Sequence, residues 1–235
     1  MVLAYEPGDS LAHGLDPRTK LAVQVAFAAA AFAHTTPRGL VALTALVALL
    51  LAGAATSPVG AAIAFRFALP FLIVAPILEG IVLGPPWFAV AEAAAPALAS
   101  YRVLLILLVS AAYVRTTPVR ESEAAIGQLV PGRPGRALAV GIALVFRFLP
   151  VLQRDLSTVR AAMHARLGTE RPLRERMRIV ATGGLNRAFA RADRLSLALR
   201  ARCFAWNPTL PALALSARDL PALALAAALA VWAAM

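Results

Sequence analysis

The chain has 235 residues, of which 60% are hydrophobic and only 15% charged, and its net charge is +11. Soluble domains carry about 45–50% apolar and about 25% charged residues, so this composition excludes an ordinary soluble domain and also a disordered chain. The single cysteine, Cys203, excludes an internal disulfide and a cysteine-based zinc module, which leaves a membrane protein with a basic region.

Four apolar stretches follow one another in the first half of the chain, and a fifth ends it. They are residues 21–34, 40–56, 59–83, 97–114 and 220–235. A spanning helix needs roughly 17–25 residues, so the second and fourth are adequate and the first and last are short. The third is long enough to tilt or to kink at its prolines. The sequence therefore predicts an all-α polytopic membrane protein with about five transmembrane helices.

Positive charge is concentrated between the fourth and fifth apolar stretches. Residues 115–218 contain 18 arginines and six acidic residues, a net charge of +12, whereas the other 131 residues sum to −1. Segments rich in Lys and Arg stay in the cytoplasm, and Arg18 and Lys20 lie just before the first stretch. We therefore expect a multi-pass protein of the inner (plasma) membrane, with the N-terminus and the basic block in the cytoplasm and the connection at 84–96 outside.

This charge distribution divides the chain into three parts. We expect residues 1–117 to form an N-terminal membrane bundle of about four spans, residues 118–218 a cytoplasmic region, and residues 219–235 the last transmembrane helix. Within the cytoplasmic region, residues 118–130 predict a short amphipathic helix. Two long amphipathic helices are predicted to follow it.

The two long helices are indicated by apolar residues that recur at steps of three and four. In the first they are Leu149, Leu152, Leu156, Val159 and Met163, after a break expected from Gly132, Pro134 and Gly135. In the second, expected from Pro172 to about Phe204, they are Leu185, Ala188, Ala192, Leu195 and Leu199. We expect Gly183 and Gly184 to bend the second helix and Asn207-Pro208 to stop it.

Catalytic and ligand-binding motifs are scarce. The sequence has no GxxxxGK[ST] phosphate loop. Its three histidines lie on different segments, without a carboxylate spaced for a shared metal. We therefore expect this chain to have no catalytic residues, no metal and no cofactor of its own.

Two similar strings close the two long helices, and each ends in an Ala-Arg pair. These pairs are Ala165-Arg166 and Ala201-Arg202. An arginine at a helix C-terminus complements the negative end of the helix dipole, and its planar guanidinium can hold a partner's carboxylate with two hydrogen bonds. The neighbouring alanines let a second protein approach closely. The alternative is a chance pairing in a chain rich in alanine and arginine.

Several strings in the sequence occur in the same order as in a known family. By them the sequence resembles the T component, the energy-coupling transmembrane subunit, of energy-coupling factor (ECF) transporters. The resemblance rests on GLDPRTKL at 14–21, TTP at 116–118 with FRFLPVL at 146–152, and the two Ala-Arg strings, which match the family's paired Ala-Arg-Gly motifs. SARDL at 216–220 also fits, so the resemblance extends from about residue 14 to the end of the chain. Leu167 and Cys203 replace the glycines of the family motifs. Glycine at a helix end favours a left-handed turn, so the two replacements put the geometry of these ends in question.

The resemblance implies a non-catalytic coupling subunit. In such a transporter, two ABC ATPase subunits that bind ATP-Mg dock on the coupling helices. Their motion reaches a separate membrane S subunit that binds a vitamin or a metal ion. The resemblance implies that Ala165 and Arg166 dock one ATPase and that Ala201 and Arg202 dock the other. The substrate stays open among biotin, another vitamin, cobalt and nickel.

Two other classes of function are compatible with parts of the sequence. A polytopic enzyme that acts on phosphorylated lipid-type substrates through its Arg-rich face would need paired carboxylates to bind Mg²⁺, and the basic block has only scattered acids. A membrane-tethered nucleic-acid binder fits the charge of +12. That block has few aromatic residues and no recognised reader motif, and membrane topology with anionic lipid accounts for much of its charge. We therefore expect a lipid bilayer and no nucleic acid among the partners.

Overall fold

The computed structural model describes residues 5–82, 84, 87–129, 132–203 and 213–235, and within them it is helical with no strands. The helices are α1 (Pro17–Ala33), α2 (Pro37–Gly53), α3 (Pro58–Ala64), α4 (Leu69–Gly80), α5 (Val90–Thr116), α6 (Val119–Leu129), α7 (Gly132–Ala165), α8 (Leu173–Ala201) and α9 (Leu220–Ala234). Two short 3₁₀ turns, Gly168–Glu170 and Ala217–Asp219, precede α8 and α9. The predicted all-α class is confirmed for these residues.

The chain divides into two compact units. The bundle unit comprises Met1–Ala125 and Ala212–Met235, and the hairpin unit comprises Ile126–Pro211. The bundle unit therefore combines the beginning and the end of the chain. The hairpin unit contains α7 and α8 and lies wholly within the Arg-rich block.

Length and apolar composition identify two spanning helices among the described residues, α5 and the segment Ala217–Ala234. A third is added if α2 and α3, which are bent by 97° at their break, form one span. The helix α1 has 17 residues, which is the lower limit for a crossing, and α4 with 12 residues is short for one. The structure thus supports a membrane protein, whereas a total of five spans stays a prediction.

Two expectations about the apolar stretches were wrong. The stretch 59–83 is not one kinked helix, because α3 ends at Ala64 and α4 starts afresh at Leu69 with Pro70 in its first turn. Proline lacks an N–H group, so it begins a helix more readily than it continues one. The connection expected at 84–96 is also shorter, because α5 begins at Val90 and continues through Pro96.

Small side chains allow the helices of the bundle unit to pack closely. The helix α1 packs along α9 and also contacts α5, and α5 contacts α2, α3 and α4 as well. Ala30 and Ala31 of α1 are fully buried together with Phe27. Such small residues are typical of membrane helices, whose association depends on close van der Waals contact and hydrogen bonds. The amide of Gln24 donates to Ser110 Oγ of α5 at 2.8 Å.

The outer surface of the bundle unit is apolar. Large hydrophobic side chains are exposed on several helices, among them Phe32, Leu49, Phe71 and Leu78. Exposed large apolar patches on a protein mark sites of contact with lipid or with partners. This surface is what a protein in contact with lipid requires.

In the hairpin unit, α7 and α8 pack antiparallel, and two glycines allow their close approach. A Cβ at Gly183 would lie 2.9 Å from Val159 Cγ1, and one at Gly184 would lie 2.6 Å from Leu156 Cδ2. The helix α8 continues through both glycines. The structure therefore gives these glycines a role in packing, and a bend at this point stays a prediction. The Asp155 carboxylate of α7 pairs with the guanidinium of Arg191 of α8 at 2.6 Å.

The boundaries of the long helices differ from those expected. Pro134 and Gly135 lie inside the start of α7, whereas Gly132, its first residue, has φ +85° and does fall at the expected break. A proline in the first turn of a helix loses no intrahelical hydrogen bond. The helix α8 ends at Ala201, whereas Phe204 and the stop expected at Asn207-Pro208 lie outside the described residues. The predicted short helix at 118–130 is present as α6.

Candidate partner-docking site

The first Ala-Arg pair lies where α7 ends. Ala165 is the last helical residue, and both Ala165 and Arg166 are exposed. The next residue, Leu167, has φ +55° and ψ +25°, which is the left-handed conformation. Gly168 is then buried against Met163, because a Cβ at this glycine would overlap the methionine side chain and lie 2.7 Å from its carbonyl oxygen. The chain therefore turns away from the helix directly after Arg166.

The second pair has the same geometry at the end of α8. Ala201 is the last helical residue, and the N–H of Arg202 donates to the carbonyl of Ala198 at 3.2 Å. Cys203 follows with φ +48°, again left-handed, and its N–H donates to the carbonyl of Arg200 at 3.0 Å. Both pairs therefore end a helix and precede a left-handed residue, and both arginines are exposed.

Leu167 and Cys203 adopt the conformation that glycine favours at a helix end. Among the described residues, Ala55 is the one other non-glycine residue with a positive φ. The left-handed conformation costs a residue with a Cβ about 1–2 kcal/mol. Leu167 and Cys203, which stand where the family motifs have glycine, therefore keep the left-handed turn at each helix end. Their side chains add backbone strain to it.

The two pairs lie on opposite sides of the point where α7 and α8 cross. At 1.5 Å per residue, Arg202 lies about 27 Å along α8 from Gly184, and Arg166 lies about 15 Å along α7 from Leu156. Leu156 and Gly184 are in contact and the helices are antiparallel. Arg166 and Arg202 therefore lie on opposite sides of this contact along the hairpin. The hairpin unit therefore presents two separate Ala-Arg sites. Within the described part of the chain, neither arginine forms an ion pair.

A second polar cluster lies in the bundle unit, and reasoning from the sequence did not anticipate it. This junction cluster comprises Asp16, Arg18, Lys20, Thr116, Thr117, Ser216 and Asp219. Its members come from the three strings GLDPRTKL, TTP and SARDL, which are far apart in the chain. The signal in the sequence is that charged residues stand at the boundaries of apolar stretches. The hydrogen bonds among them appear only in the folded chain.

Asp16 organises the first part of the cluster. Its Oδ1 accepts from the backbone N–H of Arg18 at 2.8 Å, which caps the N-terminus of α1. The guanidinium of Arg18 pairs with the same carboxylate at 3.1 Å and donates to the carbonyl of Leu213 at 3.1 Å. The start of α1 is thereby joined to the segment that leads into α9.

Asp219 and Lys20 complete the cluster. The buried Asp219 carboxylate accepts from the N–H of Asp16 at 2.7 Å. The buried ammonium of Lys20 donates to the carbonyl of Thr116 at 3.0 Å and to Thr117 Oγ1 at 3.2 Å. Thr116 is the last residue of α5, so the lysine caps the negative end of that helix. The N-termini of α1 and α9 and the C-terminus of α5 thus meet at one end of the bundle unit.

No group of three or more His, Cys, Asp and Glu side chains that could hold a metal ion occurs in the part of the chain that the structure describes. The site geometry consists instead of exposed arginines at two helix ends and a buried hydrogen-bonded junction. Such geometry can bind partners and hold helices in place.

Comparison with known proteins agrees with this description. A family model described as cobalt transport protein, CbiQ, matches residues 8–210. The energy-coupling factor transporter transmembrane protein EcfT of Acidaminococcus fermentans is 26% identical over 233 residues, which cover 85% of this chain and 81% of that protein. The family match includes both Ala-Arg pairs and confirms the resemblance stated from the sequence. The chain is therefore a membrane subunit of a transporter and belongs to the CbiQ family of cobalt transport proteins.

Proposed function

We propose that this chain is the coupling subunit, or T component, of an ECF importer. It transmits the ATP-driven motion of two ABC ATPase subunits to a separate membrane S subunit that takes up a vitamin or a metal ion. The observation that carries the proposal is the pair of exposed Ala-Arg helix ends with matching left-handed turns. The family match and the named relative support it.

Each Ala-Arg pair has the properties needed to dock one ATPase subunit. Ala165 and Ala201 leave room for a partner's backbone to approach the helix. Arg166 and Arg202 each offer a planar guanidinium that holds a carboxylate with two hydrogen bonds. The separation of the pairs along the hairpin suits two partner molecules, one at each end. ATP-Mg binds to those partners, and we assign no cofactor and no reaction to this chain.

The junction cluster supports the transmission of motion. The residues that lead into and out of the hairpin unit include Thr117 and Leu213, and Lys20 and Arg18 hold them by hydrogen bonds. These hydrogen bonds hold the chain segments next to the hairpin unit to the start of α1. In this proposal the protein lies in the inner membrane, and the hairpin unit and the N-terminus face the cytoplasm, as the Arg-rich block requires.

The docking assignment is tested by charge reversal of Arg166→Glu together with Arg202→Glu in the full chain. The matched control is Arg160→Glu with Arg178→Glu, which changes two exposed arginines on the same helices by the same charge. We expect the first variant to lose ATPase capture in co-purification while its insertion into the membrane is unchanged. We expect the control to capture the ATPases as the wild type does.

Capture of the ATPases by the first variant at wild-type level would show that the Ala-Arg pairs are not the docking sites. The substrate is assigned by the S subunit that co-purifies with the chain, followed by uptake assays with biotin, other vitamins, cobalt and nickel. Magnesium-dependent turnover of a phosphorylated lipid by the purified chain alone would instead support the alternative of a membrane enzyme.

A further inference from the structure

One face of the hairpin unit carries a groove lined by arginines from both helices. Arg147 of α7 and Arg187, Arg191 and Arg194 of α8 line a cavity of about 480 Å³, which we call the arginine groove. The rest of its wall is formed by Phe148, Asp155, Ala190, Leu195 and Ala198. The groove thus holds four guanidinium groups and one carboxylate, and it includes neither of the Ala-Arg pairs.

Two of these arginines face each other across the helix pair. A Cβ at Gly184 would lie 2.6 Å from Leu156 Cδ2, so these two residues mark one level of the hairpin. Because the helices are antiparallel, the residue nine places before Leu156 lies level with the residue about ten places after Gly184. Arg147 and Arg194 occupy these positions and line the same cavity.

The charge of this facing pair is not neutralised locally. Asp155 pairs with Arg191 at 2.6 Å and more loosely with Arg187 at 3.8 Å. It lies about 12 Å along α7 from Arg147, which exceeds the screening distance of about 8 Å in physiological salt. Across the residues that the structure describes, Arg147 and Arg194 form no ion pair. The two arginines therefore repel each other unless an anion lies between them.

We propose that the arginine groove binds a phosphate group that bridges Arg147 and Arg194. A guanidinium donates two parallel hydrogen bonds to phosphate oxygens, and a phosphate has enough oxygens to accept such a pair from each helix. A carboxylate has two oxygens, which one arginine already occupies. The bound phosphate joins α7 to α8 about 12 Å along α8 from Arg202, so it stabilises the part of the hairpin that carries the second Ala-Arg pair.

The proposal is tested by equilibrium dialysis of the full chain in detergent against labelled inorganic phosphate at constant ionic strength. We compare Arg147→Gln with Arg194→Gln against the control Arg160→Gln with Arg178→Gln, which removes two exposed arginines of the same helices. We expect saturable binding by the wild type, at least about a tenfold loss of affinity in the groove variant and none in the control. Equal affinity of the two double variants, or no saturable binding by the wild type, overturns the proposal.

Thermal unfolding separates a loss of binding from a loss of folding. Without phosphate, we expect the glutamine variant of Arg147 and Arg194 to unfold at the wild-type midpoint or above it, because a repulsion is removed. Phosphate then raises the midpoint of the wild type and of the control, and it leaves that variant unchanged. Arg147→Lys with Arg194→Lys keeps the charge and loses the planar fork, so we expect it to bind more weakly than the wild type. Wild-type affinity of this lysine variant would indicate a general attraction of anions and overturn the proposal.

Competition with the labelled phosphate separates the sources of the group. Displacement by glycerol 3-phosphate supports a soluble source, and displacement by phosphatidylglycerol alone supports a lipid headgroup. Diacylglycerol with the same acyl chains has no phosphate, so displacement by it overturns the proposal. The groove includes neither Arg166 nor Arg202, so this proposal and the docking of ATPases fail separately.

Discussion

Asp219 offers a sharp test of the junction cluster, because one buried carboxylate there joins two ends of the chain. It is 1% exposed. It accepts three hydrogen bonds, from the N–H of Asp16 at 2.7 Å, from the N–H of Ser216 at 2.8 Å and from the Ser216 hydroxyl at 3.0 Å. We predict that Asp219→Ala destabilises the bundle unit strongly, because it removes the acceptor and leaves the donors in place.

The magnitude follows from the two backbone donors. The serine hydroxyl can rotate to another partner, whereas the N–H groups of Asp16 and Ser216 are fixed by the backbone. A buried donor left unpaired costs about 1–3 kcal/mol, so the expected loss for Asp219→Ala is about 2–6 kcal/mol. Asp219→Asn keeps one oxygen as acceptor for one backbone donor, but its NH2 replaces the other oxygen, since Asp16 and Ser216 donate to different oxygens. One backbone N–H is then left unpaired, so the expected cost is about 1–3 kcal/mol, less than that of Asp219→Ala.

The assay is thermal unfolding of the purified full chain in detergent, with Asp193→Ala as the control. Asp193 is an exposed aspartate on α8, so its replacement makes the same chemical change without disturbing a buried network. At roughly 2–4 °C per kcal/mol, we expect Asp219→Ala to lower the midpoint by at least about 4 °C and Asp219→Asn by less. An unchanged midpoint for Asp219→Ala, or equal shifts for the two Asp219 variants, would refute the reasoning.

Three further predictions concern single positions. Lys20→Met keeps the aliphatic stem but leaves the Thr116 carbonyl without its donor, so we expect a loss of about 1–3 kcal/mol in denaturant unfolding; a wild-type midpoint would contradict the capping role. Leu167→Gly and Cys203→Gly relieve left-handed strain, and each is expected to raise stability by about 0.5–1 kcal/mol without weakening ATPase capture. A lowered thermal midpoint would argue against that strain. Gly184→Ala places a Cβ 2.6 Å from Leu156 Cδ2, whereas Gly141→Ala on α7 places one in open space. Both gain the same helix propensity, so we expect Gly184→Ala to be less stable than this control by about 1 kcal/mol; equal midpoints would mean that the helix contact tolerates the extra methyl group at no cost.

Local patterns in the sequence were sufficient to predict most of the helices. The helices α1 and α2 begin after Asp16 and Thr36, whose side chains cap them, with proline in the first turn of each. The amphipathic faces of α7 and α8 repeat every three to four residues. Each of these patterns depends on residues that are close in the sequence, so the helices can be predicted without knowledge of tertiary contacts.

The helix boundaries that were predicted wrongly lie at prolines, which occur both at the start of a helix and at a kink or break. Pro70 and Pro134 were read as a kink and as a break, and in the structure both lie in first turns. A proline marks a helix boundary without showing on which side the helix lies. The packing role of Gly183 and Gly184 could not be predicted from local pattern, because the side chains of α7 that contact them lie in a different part of the chain.

By itself, the sequence determined the membrane class, the Arg-rich block, the two Ala-Arg pairs and the family, because composition and ordered motifs are properties of the chain. Only the tertiary structure decided that Asp16 meets Asp219, 203 residues away, and that Lys20 caps α5. Buried polar groups must find partners, but which partners they find depends on how the helices pack. The left-handed turns at Leu167 and Cys203 were decided in the same way. Their side chains disfavour that conformation, and at Leu167 the packing of Gly168 against Met163 accompanies it.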